Sequence, residues 1–344
     1  MTIPRISVVV PAHQASSDLA RCIEALLASD LPKPLWELII VDDGSDAHAV
    51  TRASERADQI VSLPAPSAGP AHARNEGAAV ARGEVVAFVD ADVLVHRDAL
   101  RLLAARLDEA SVSAAFGSYD DTPEHPGLVS QYRNLLHHRV HQQSGGDVES
   151  FWAGLGAVRR SVFNSVGGFD DVSYRRPEME DVELGYRLRD AGHRIVLDPQ
   201  VQGTHLKRWT LGGMLASDFT RRGLPWARLL VRRNMLLSPR GLSLGASERV
   251  SALLATGALA TGVLAALTTS KTVAMLGVLL LSLFVLANMP LLSWLSAKRG
   301  VSFAVLAIPL HLAYSVNAVT SLVAGAIAAT VSRRSEQERY TRRQ

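Results

Sequence analysis

Two aspartates, Asp90 and Asp92, stand one residue apart at the end of the apolar run EVVAFVDADVLV. Carboxylates in a segment that is otherwise expected to be buried are costly unless a partner compensates their charge. Side-chain alternation along a strand would place both on one side, with the small Ala91 between them. Mg²⁺ and Mn²⁺ take oxygen ligands and keep positions free for substrate phosphates. The pair therefore predicts a divalent cation site, and the simpler alternative is a cap on the following helix.

The elements that must position these groups alternate between strand and helix. The predicted strands are RISVVVPA, ELIIVDDGS, QIVSLP, EVVAFVD and VSAAFGSY. The predicted helices between them are DLARCIEALLAS, the segment from Ala47 to Ala57, AHARNEGAAVA and RDALRLLAARL. Strands of continuous Val and Ile that alternate with helices of about ten to fifteen residues are typical of an α/β domain with a mainly parallel, Rossmann-like sheet.

Polar residues cluster at the ends of three of these strands. Strand one ends in PAH (11–13), strand two in DDGS (42–45) and strand four in DAD (90–92). Because ligands of such sheets bind beyond the carboxyl ends of the strands, these residues are expected to share one site. The sequence has neither a GxGxxG after the first strand nor a GxxxxGK[ST], which argues against a dinucleotide fingerprint and a P-loop.

The composition changes near residue 247. Three long apolar stretches follow, at 250–267, 272–295 and 301–331, and each is close to the ~20 residues that a helix needs to cross a bilayer. Seven arginines between Arg221 and Arg249 place the N-terminal domain in the cytoplasm by the positive-inside rule. A third crossing would export the arginine-rich tail, unless the third stretch breaks at Pro309 and re-enters. We favour three crossings at this point.

The expected organisation is an α/β domain at 1–212, a basic juxtamembrane segment at 213–247, a transmembrane region of two or three helices at 248–332 and a basic tail at 333–344. The formal net charge of +3 is small, and no nucleic-acid partner is expected. The single cysteine, Cys22, excludes an internal disulfide and is expected to be a core thiol on a helix face.

Six segments together resemble the family 2 inverting glycosyltransferases, whose soluble domain has the GT-A fold. They are VVVPAHQA, IIVDDGS, GPAHARNEG, VAFVDADV, the GFD of VGGFDD and MEDVELGYRLRDAG, in this order, between about Ile6 and His205. The resemblance implies a nucleotide-diphosphate sugar donor, a divalent cation (Mn²⁺ or Mg²⁺) and transfer of the sugar with inversion.

The family's binding residues match positions of this sequence. Asp42 and Asp43 match residues that hold the base and ribose, and Arg74 and Asn75 match residues near the phosphates. The expected nucleotide-binding residues are Pro11, His13, Asp42, Asp43, Arg74, Asn75 and Asp90. At His13 the family more often has an aromatic residue, but an imidazole can also stack on a base. The expected metal ligands are Asp90, Asp92 and His205, since two carboxylates and one imidazole suit Mn²⁺ or Mg²⁺ bound to phosphates.

The resemblance also implies a general base. Inverting transfer is one in-line displacement, and a base must take the proton of the acceptor hydroxyl. Asp181 matches the family's ED motif and is the expected base, with Glu180 as its neighbour or an acceptor contact; a helix cap is the alternative. Trp152 and Gly154 match the segment that borders the donor sugar and the acceptor, where Trp152 could stack on a sugar or pack in the core.

Four other histidines have simpler interpretations. His137, His138 and His141 have no acid close by and are expected on a solvated or acceptor-facing helix. His311, in the third apolar stretch, is expected to be a polar packing residue.

The expected function is therefore a membrane-anchored, metal-dependent, inverting and non-processive sugar transfer, with UDP as the expected nucleotide. The expected acceptor is a hydroxyl of a lipid or lipid-linked glycan. Basic segments around Trp209 and Trp226 would suit membrane lipids at the headgroup level, or simply follow the positive-inside rule. The expected location is the cytoplasmic membrane, with several passes and the catalytic domain facing the cytoplasm.

Other classes fit less well. DFTRRGLPW stands where processive synthases carry QxxRW, and a polyprenyl-phosphate sugar synthase would need no strong base. A nucleotidyltransferase would carry a Gly-rich basic loop after strand one, where this chain has PAHQASSD. A non-catalytic membrane scaffold would be expected to lose the acid pair Asp90 and Asp92 or the expected base Asp181, and all three residues are present.

Overall fold

The computed structural model describes residues 3–14, 17–45, 50, 55–236 and 246–341. They divide into two units. The sheet unit comprises Met1–Pro126 and Arg133–Arg208, and the helical unit comprises Gly127–Tyr132 and Trp209–Gln344. Most of the helix predicted from Ala47 to Ala57, and the end of the basic tail at 342–344, lie outside the described residues.

The sheet unit alternates strands and helices. Its strands are β1 (Ile6–Ala12), β2 (Trp36–Asp43), β3 (Gln59–Leu63), β4 (Val85–Val89), β5 (Val93–Val95), β6 (Ala114–Tyr119), β7 (Gly146–Val148), β8 (Leu155–Arg159) and β9 (Ile195–His205). Its helices are α1 (Ser17–Leu27), α2 (Pro70–Val80), α3 (Ala99–Asp108), α4 (Leu128–Gln143), α5 (Arg160–Ser165) and α6 (Glu180–Asp190), and the first turn of α4 belongs to the helical unit. One sheet runs in the order β3-β2-β1-β4-β8-β6-β9-β5, with β7 beside β9.

The sheet is mixed. β3, β2, β1 and β4 pair in parallel, as do β6 and β9. β8 lies antiparallel between β4 and β6, and β5 and β7 are antiparallel to β9. The α/β class is confirmed, but the parallel arrangement covers only part of the sheet. The antiparallel strand β8 reads LGAVR, whose small residues give a weak strand signal in the sequence.

Apolar layers cover both faces of the sheet, which explains why its strands are continuous apolar runs. Along β4, Val85 and Val89 pack into one layer, and Phe88 packs into the layer on the opposite face. Cys22 of α1 is fully buried in the first layer, and burial raises the pKa of its thiol. It is a core thiol, as expected.

The helical unit follows the sheet unit. Its helices are α7 (Leu211–Ser217), a π-helical turn (Asp218–Gly223), α8 (Leu224–Arg232), α9 (Ala246–Thr268), α10 (Lys271–Ala287), α11 (Met289–Arg299) and α12 (Val301–Thr341). Within the described residues, two segments are long and apolar enough to cross a membrane: Ser247–Thr268 and Val301–Val331. α10 and α11 pass this test only as a pair bent by 60°.

The break in the apolar region lies at Asn288, and not at Pro309, where the alternative to a third crossing required one. α12 continues through Pro309. At Asn288 the side-chain amide donates to the carbonyl of Phe284, so it binds the last turn of α10. Pro290 then stands in the first turn of α11, where its missing N–H costs no helical hydrogen bond.

Gly77 allows α2 to pack closely on the sheet. A Cβ at this position would lie 2.4 Å from Val9 Cγ1 and 2.9 Å from Val41 Cγ2. We expect Gly77→Ala to lower the free energy of unfolding by about 1–3 kcal/mol, because overpacking outweighs the better helix propensity of alanine. Denaturant unfolding measures the change. Gly212→Ala, where an added Cβ meets nothing within 4 Å, is the control; equal stability of both variants would contradict the packing argument.

Candidate active site

A buried arginine joins the two acidic motifs. Arg74 of α2 is 5% exposed; its Nη2 donates to Asp90 Oδ1 (2.8 Å) and its Nη1 donates to Glu180 Oε1 (2.9 Å). Burial acts to lower the pKa of the guanidinium, but the charges of Asp90 and Glu180 raise it above its ordinary value. Nε of Arg74 has no hydrogen-bond partner among the described residues, so one buried donor is left for a ligand.

The acid pair lies in a turn between β4 and β5, and not on the strand itself. The amide of Asp90 donates to the carbonyl of Gly154 (3.1 Å), and the amide of Val93 donates to the carbonyl of Asp90 (3.0 Å). Strand alternation therefore does not set the directions of the two carboxylates. Asp90 pairs with Arg74, whereas Asp92 faces His205.

Asp92 and His205 form a second polar pair. Nε2 of His205 lies 3.4 Å from Asp92 Oδ2, and its Nδ1 lies 2.7 Å from Asn134 Oδ1. The imidazole is 6% exposed and stacks on the Tyr119 ring at 4.2 Å. Burial acts to raise the pKa of Asp92, but the adjacent His205 lowers it overall. The carboxylate is therefore ionised near neutral pH.

Asn134 defines which nitrogen of His205 carries a proton. An amide oxygen can only accept, so Nδ1 of His205 must donate to it. In the neutral imidazole Nε2 is then an acceptor, and it faces a carboxylate oxygen that is also an acceptor. Such a pair is stabilised when a cation or an added proton lies between the two atoms. Nothing in the sequence pattern singled out Asn134 for this contact.

Asp181 lies in the first turn of α6, next to Glu180. Its Oδ2 accepts from the amide of Ala153 (3.3 Å) and its Oδ1 accepts from the amide of Val182 (2.8 Å). Burial and the charge of Glu180 raise the pKa of Asp181 to about 7, against the opposing effect of Arg74. A carboxylate with this pKa can take a proton near neutral pH.

Glu180 is held in place by protein groups. It is 5% exposed; Oε1 accepts from Arg74, and Oε2 accepts from the amide of Glu178 (2.9 Å). These contacts fit a positioning role beside Asp181. They do not fit the expected alternative of a contact to the acceptor.

Asp43 shapes a loop. It is 3% exposed and accepts hydrogen bonds from the Ser67 hydroxyl (2.5 Å), the Ala68 amide (2.9 Å) and the Gly69 amide (2.8 Å). Its carboxylate therefore holds residues 67–69, at the start of α2. This differs from the expected contact with the base or ribose, because the side chain turns into the protein.

The other residues of the expected base site lie nearer the surface. His13 is exposed, and its Nδ1 lies 2.8 Å from the carbonyl oxygen of Asp43, which orients the ring. Asp42 is half-buried and accepts from the Ser45 amide (3.0 Å). Pro11 is half-buried and lies opposite Val41 in the pairing of β1 with β2. His13 and Asp42 keep surface that a nucleotide can contact.

Asn75 and His72 tie α2 to the GFD loop. The Asn75 amide donates to the Phe169 carbonyl and accepts from the Phe169 amide, both at 2.9 Å. Nδ1 of His72 lies 2.8 Å from Asp171 Oδ2. The backbone of Arg175, in the same loop, lies so close to Gly69 that a Cβ there would be 2.3 Å from the Arg175 carbonyl oxygen. Asn75 thus positions a loop, in place of the expected phosphate contact.

Trp152 is half-buried in an aromatic cluster. Its ring lies 4.8 Å from Tyr119, 5.2 Å from His137 and 5.4 Å from His141, measured between centroids. The indole covers Gly154, where a Cβ would be 2.4 Å from Trp152 Cζ2. The packing of Trp152 on the neighbouring rings therefore requires a small residue at position 154.

Of the two expected alternatives for the histidines of α4, the solvated face does not apply to His138 and His141, which bond the sheet. His138 is 9% exposed, and its Nδ1 lies 2.8 Å from the carbonyl oxygen of Tyr119. Nδ1 of His141 lies 3.1 Å from the carbonyl oxygen of Gly117. Both carbonyls belong to β6. The helix uses its imidazoles to bond the sheet, which a count of nearby acids could not reveal.

The described residues contain no group of three His, Cys, Asp or Glu side chains placed to hold a metal ion. They offer two donors at one point, Asp92 and His205, with Asp90 turned to Arg74. One carboxylate and one oriented imidazole are a sufficient protein contribution where substrate phosphates and water complete the coordination. The chemistry of this pair fits Mn²⁺ or Mg²⁺.

Comparison with known proteins shows what this sheet unit is similar to. Residues 7–167 match the model of Glycosyl transferase family 2. The chain is 24% identical to Glycosyltransferase AglE of Haloferax volcanii over 223 residues, which cover 63% of this chain and 72% of that one. It is 29% identical to Pre-mycofactocin glycosyltransferase of Mycobacterium tuberculosis over 219 residues, covering 61% and 44%. The chain spans less than half the length of several curated relatives that it matches.

A solved structure has a similar fold over most of the chain. It is the mannosyltransferase PcManGT from Pyrobaculum calidifontis in complex with GDP-Man and Mn²⁺, with a TM-score of 0.60 and 21% identity, covering 89% of this chain and 87% of that chain. At this identity the likeness concerns the fold, which is of the GT-A type. Residues 7–167 therefore match a glycosyl transferase family 2 domain, and the sheet is of the GT-A type.

Proposed function

We propose that the chain moves one sugar from a nucleotide-diphosphate sugar to a hydroxyl of a lipid or lipid-linked glycan, with inversion and without processivity. The observation that carries this proposal is the position of Asp181. A carboxyl with a pKa of about 7 adjoins Glu180, which is linked through Arg74 to Asp90 of the acid pair. A base for the acceptor and the groups for the donor phosphates are thus joined by one ionic network.

The residues have separate tasks in the proposed transfer. Asp181 takes the proton of the acceptor hydroxyl as its oxygen forms the new bond to the anomeric carbon, while the bond from that carbon to the diphosphate breaks. Glu180 and Arg74 position Asp181 and Asp90. Asp92 and His205 would hold Mn²⁺ or Mg²⁺, which when bound supplies positive charge for the departing diphosphate.

The donor nucleotide would lie against the exposed ring of His13 and the half-buried Asp42. UDP is the expected nucleotide from the sequence, although one solved neighbour contains GDP-Man. Thermal stabilisation of the detergent-purified protein by UDP, GDP and their sugars, each with Mn²⁺ or EDTA, tests the donor. A shift that requires the cation and one base supports the proposal. No shift with any nucleotide would contradict it.

The acceptor class rests on the helical unit. Its apolar helices are compatible with membrane association, and a membrane-bound acceptor would be a lipid or lipid-linked glycan. The elevated pKa of Asp181 favours a hydroxyl acceptor over a polyprenyl phosphate, because a phosphate is already ionised and needs no base. We place the chain in the cytoplasmic membrane, with the catalytic domain facing the cytoplasm.

Removing the expected base should stop the transfer of the sugar but leave binding of the nucleotide donor intact. We expect Asp181→Asn to lower kcat/KM by about 10²–10⁴-fold, since the amide cannot accept the proton, and to keep nucleotide affinity. Glu183→Gln on the same helix, which removes a partner of Arg187, is the control and should stay within a few-fold. In the wild type, kcat/KM should rise with pH and level off above about 7. A normal rate in Asp181→Asn would refute the base.

The raised pKa of Asp181 should also make the stability of the fold fall with pH, whereas kcat/KM rises. Because the folded Asp181 holds its proton more tightly than the unfolded chain does, the native state loses stability as pH rises from the ordinary Asp pKa through about 7. Asp181→Asn should therefore be more stable than the wild type at pH 8, measured by thermal unfolding.

Arg74 should be needed for folding as well as for donor binding. Arg74→Met leaves the Glu180 and Asp90 carboxylates without their cation, and we expect the free energy of unfolding to fall by about 3–5 kcal/mol. Arg101→Met, which removes a half-exposed ion pair with Asp30, is the control and should cost roughly 0–1 kcal/mol. Similar losses of unfolding free energy in both variants would mean that the buried network stabilises the protein no more than an exposed ion pair does.

Asn134 should set the affinity for the cation through His205. Asn134→Leu removes the acceptor for Nδ1–H, so the imidazole can donate from Nε2 to Asp92 and close the cation site. We expect Mn²⁺ affinity, measured by titration calorimetry with the nucleotide, to fall by about 10–100-fold. Asn134→Asp keeps an acceptor oxygen and should retain affinity. Gln142→Leu, which loses a bond to the Pro199 carbonyl on the same helix, is the control.

These measurements distinguish an error about the role of Asn134 from an error about the metal site. If the wild type binds Mn²⁺ and Asn134→Leu binds it equally well, the role of Asn134 is wrong and the metal site stands. If the wild type binds no Mn²⁺ with or without nucleotide, the metal site itself is wrong.

A further inference from the structure

Polar bonds fix α12 to other elements of the helical unit along its length. Just before its start, Nε of Arg299 donates to Gln131 Oε1 (2.8 Å). In the first part of the helix, His311 Nδ1 accepts from the Tyr132 hydroxyl (2.8 Å). Further on, the Asn317 amide donates to the Leu215 carbonyl (3.0 Å). Polar bonds inside a bilayer join membrane-spanning helices to one another, whereas Gln131, Tyr132 and Leu215 belong to α4 and α7, which are not candidate spans.

The segment α7–α8 marks the level of the headgroups. Its arginines Arg221, Arg222, Arg228 and Arg232 are exposed, whereas its apolar side is buried. Exposed guanidinium groups are costly in the hydrocarbon core and favourable among lipid headgroups. A helix whose outer face carries arginines, and whose apolar side is covered by α12, fits the headgroup level and not the hydrocarbon core.

α12 packs along this segment with almost no gap. A Cβ at Gly223 would lie 1.9 Å from Ser321 Oγ, and a Cβ at Gly325 would lie 2.6 Å from Ala227 Cβ. Two glycines, one on each side of the contact, thus allow the backbones to approach. Residues 321–325 of α12 therefore lie at the same depth as α8.

The first part of α12 lies at the base of the α9–α10 hairpin. His311 Nε2 donates to Asn288 Oδ1 (2.9 Å), and the Asn288 amide donates to Ser251 Oγ (2.7 Å). Ser251 is near the start of α9, and Asn288 follows the end of α10. Between 256 and 283, no described residue is buried. The hairpin therefore extends away from α12, with its apolar length open to lipid.

We infer that α12 lies along the membrane interface at the level of α7–α8 and does not cross the bilayer. The inserted part of the described chain is then the α9–α10 hairpin, and the surface formed by α7, α8 and α12 rests on the lipid headgroups. The inference rests on the proposed membrane anchoring. It keeps the arginine-rich tail on the side of α7–α8, in agreement with the positive-inside rule.

Cysteine accessibility tests the path of α12. In a Cys22→Ala background, single cysteines are placed at Ser111 in the sheet unit, at Thr269 between α9 and α10, and at Gln344. Each full-length protein is expressed in a bacterial inner membrane. It is then labelled with a membrane-impermeant maleimide in intact and in lysed spheroplasts. We expect Ser111→Cys and Gln344→Cys to react only after lysis, and Thr269→Cys to react in intact spheroplasts.

Each other outcome overturns the inference in a different way. If Gln344→Cys reacts in intact spheroplasts together with Thr269→Cys, α12 crosses the membrane, and the proposed anchoring stands. If Thr269→Cys reacts only after lysis, the hairpin does not reach the far side, and the assignment of the inserted part fails. If alkaline carbonate extracts the protein from the membrane, the anchoring itself fails and the inference with it.

Discussion

The buried guanidinium of Arg74 is the interaction on which the site depends. It neutralises one carboxylate from the turn after β4 and one from the first turn of α6, which are far apart in the sequence. Glu180, which is 5% exposed, could not be buried as an ion without it, whereas the side chain of Asp90 stays 31% exposed. A lysine could not replace it, because only the planar fork of arginine reaches two carboxylates with separate nitrogens. The local charge balance also affects Asp181, whose pKa is raised by burial and by Glu180 and restrained by Arg74.

The helix α2 carries this arginine and organises the loops around it. Its first residues follow the 67–69 loop that Asp43 holds, and its Asn75 and His72 bind the GFD loop. Close packing through Gly77 fixes the helix on the sheet. The loop that belongs to the expected nucleotide site and the loop that leads to the base therefore share one rigid support.

Much of the fold could be predicted because its signals are local. Continuous apolar strands, the alternating helices and the acids at strand ends are visible within short windows, and they identify the α/β class and the family. A strand was expected within 150–163, where β8 lies, but its antiparallel direction has no local signal, and the short strand β7 was missed. The break at Asn288 was also missed, because it depends on a side-chain bond to Phe284 and not on the more visible Pro309.

The site was predictable in its residue types but not in its contacts. Asp181, Arg74 and Asp92 could be found from motifs, whereas the pairing of Asp90 with Arg74 depends on a turn whose geometry no pattern encodes. Asp43 and Asn75 turned inward to hold loops. Asn134 had no signal at all, since its partner His205 lies 71 residues away.

The helix α4 makes the two units inseparable during synthesis. Its first turn belongs to the helical unit, and its remaining turns belong to the sheet unit. Tyr132 in that turn is fully buried and bonds His311, which leaves the ribosome 179 residues later. The helical unit is therefore completed by a residue made long before its apolar hairpin. Cleavage after Arg208 would not yield two whole units. Gly127–Tyr132 would remain on the N-terminal fragment, although these residues belong to the helical unit.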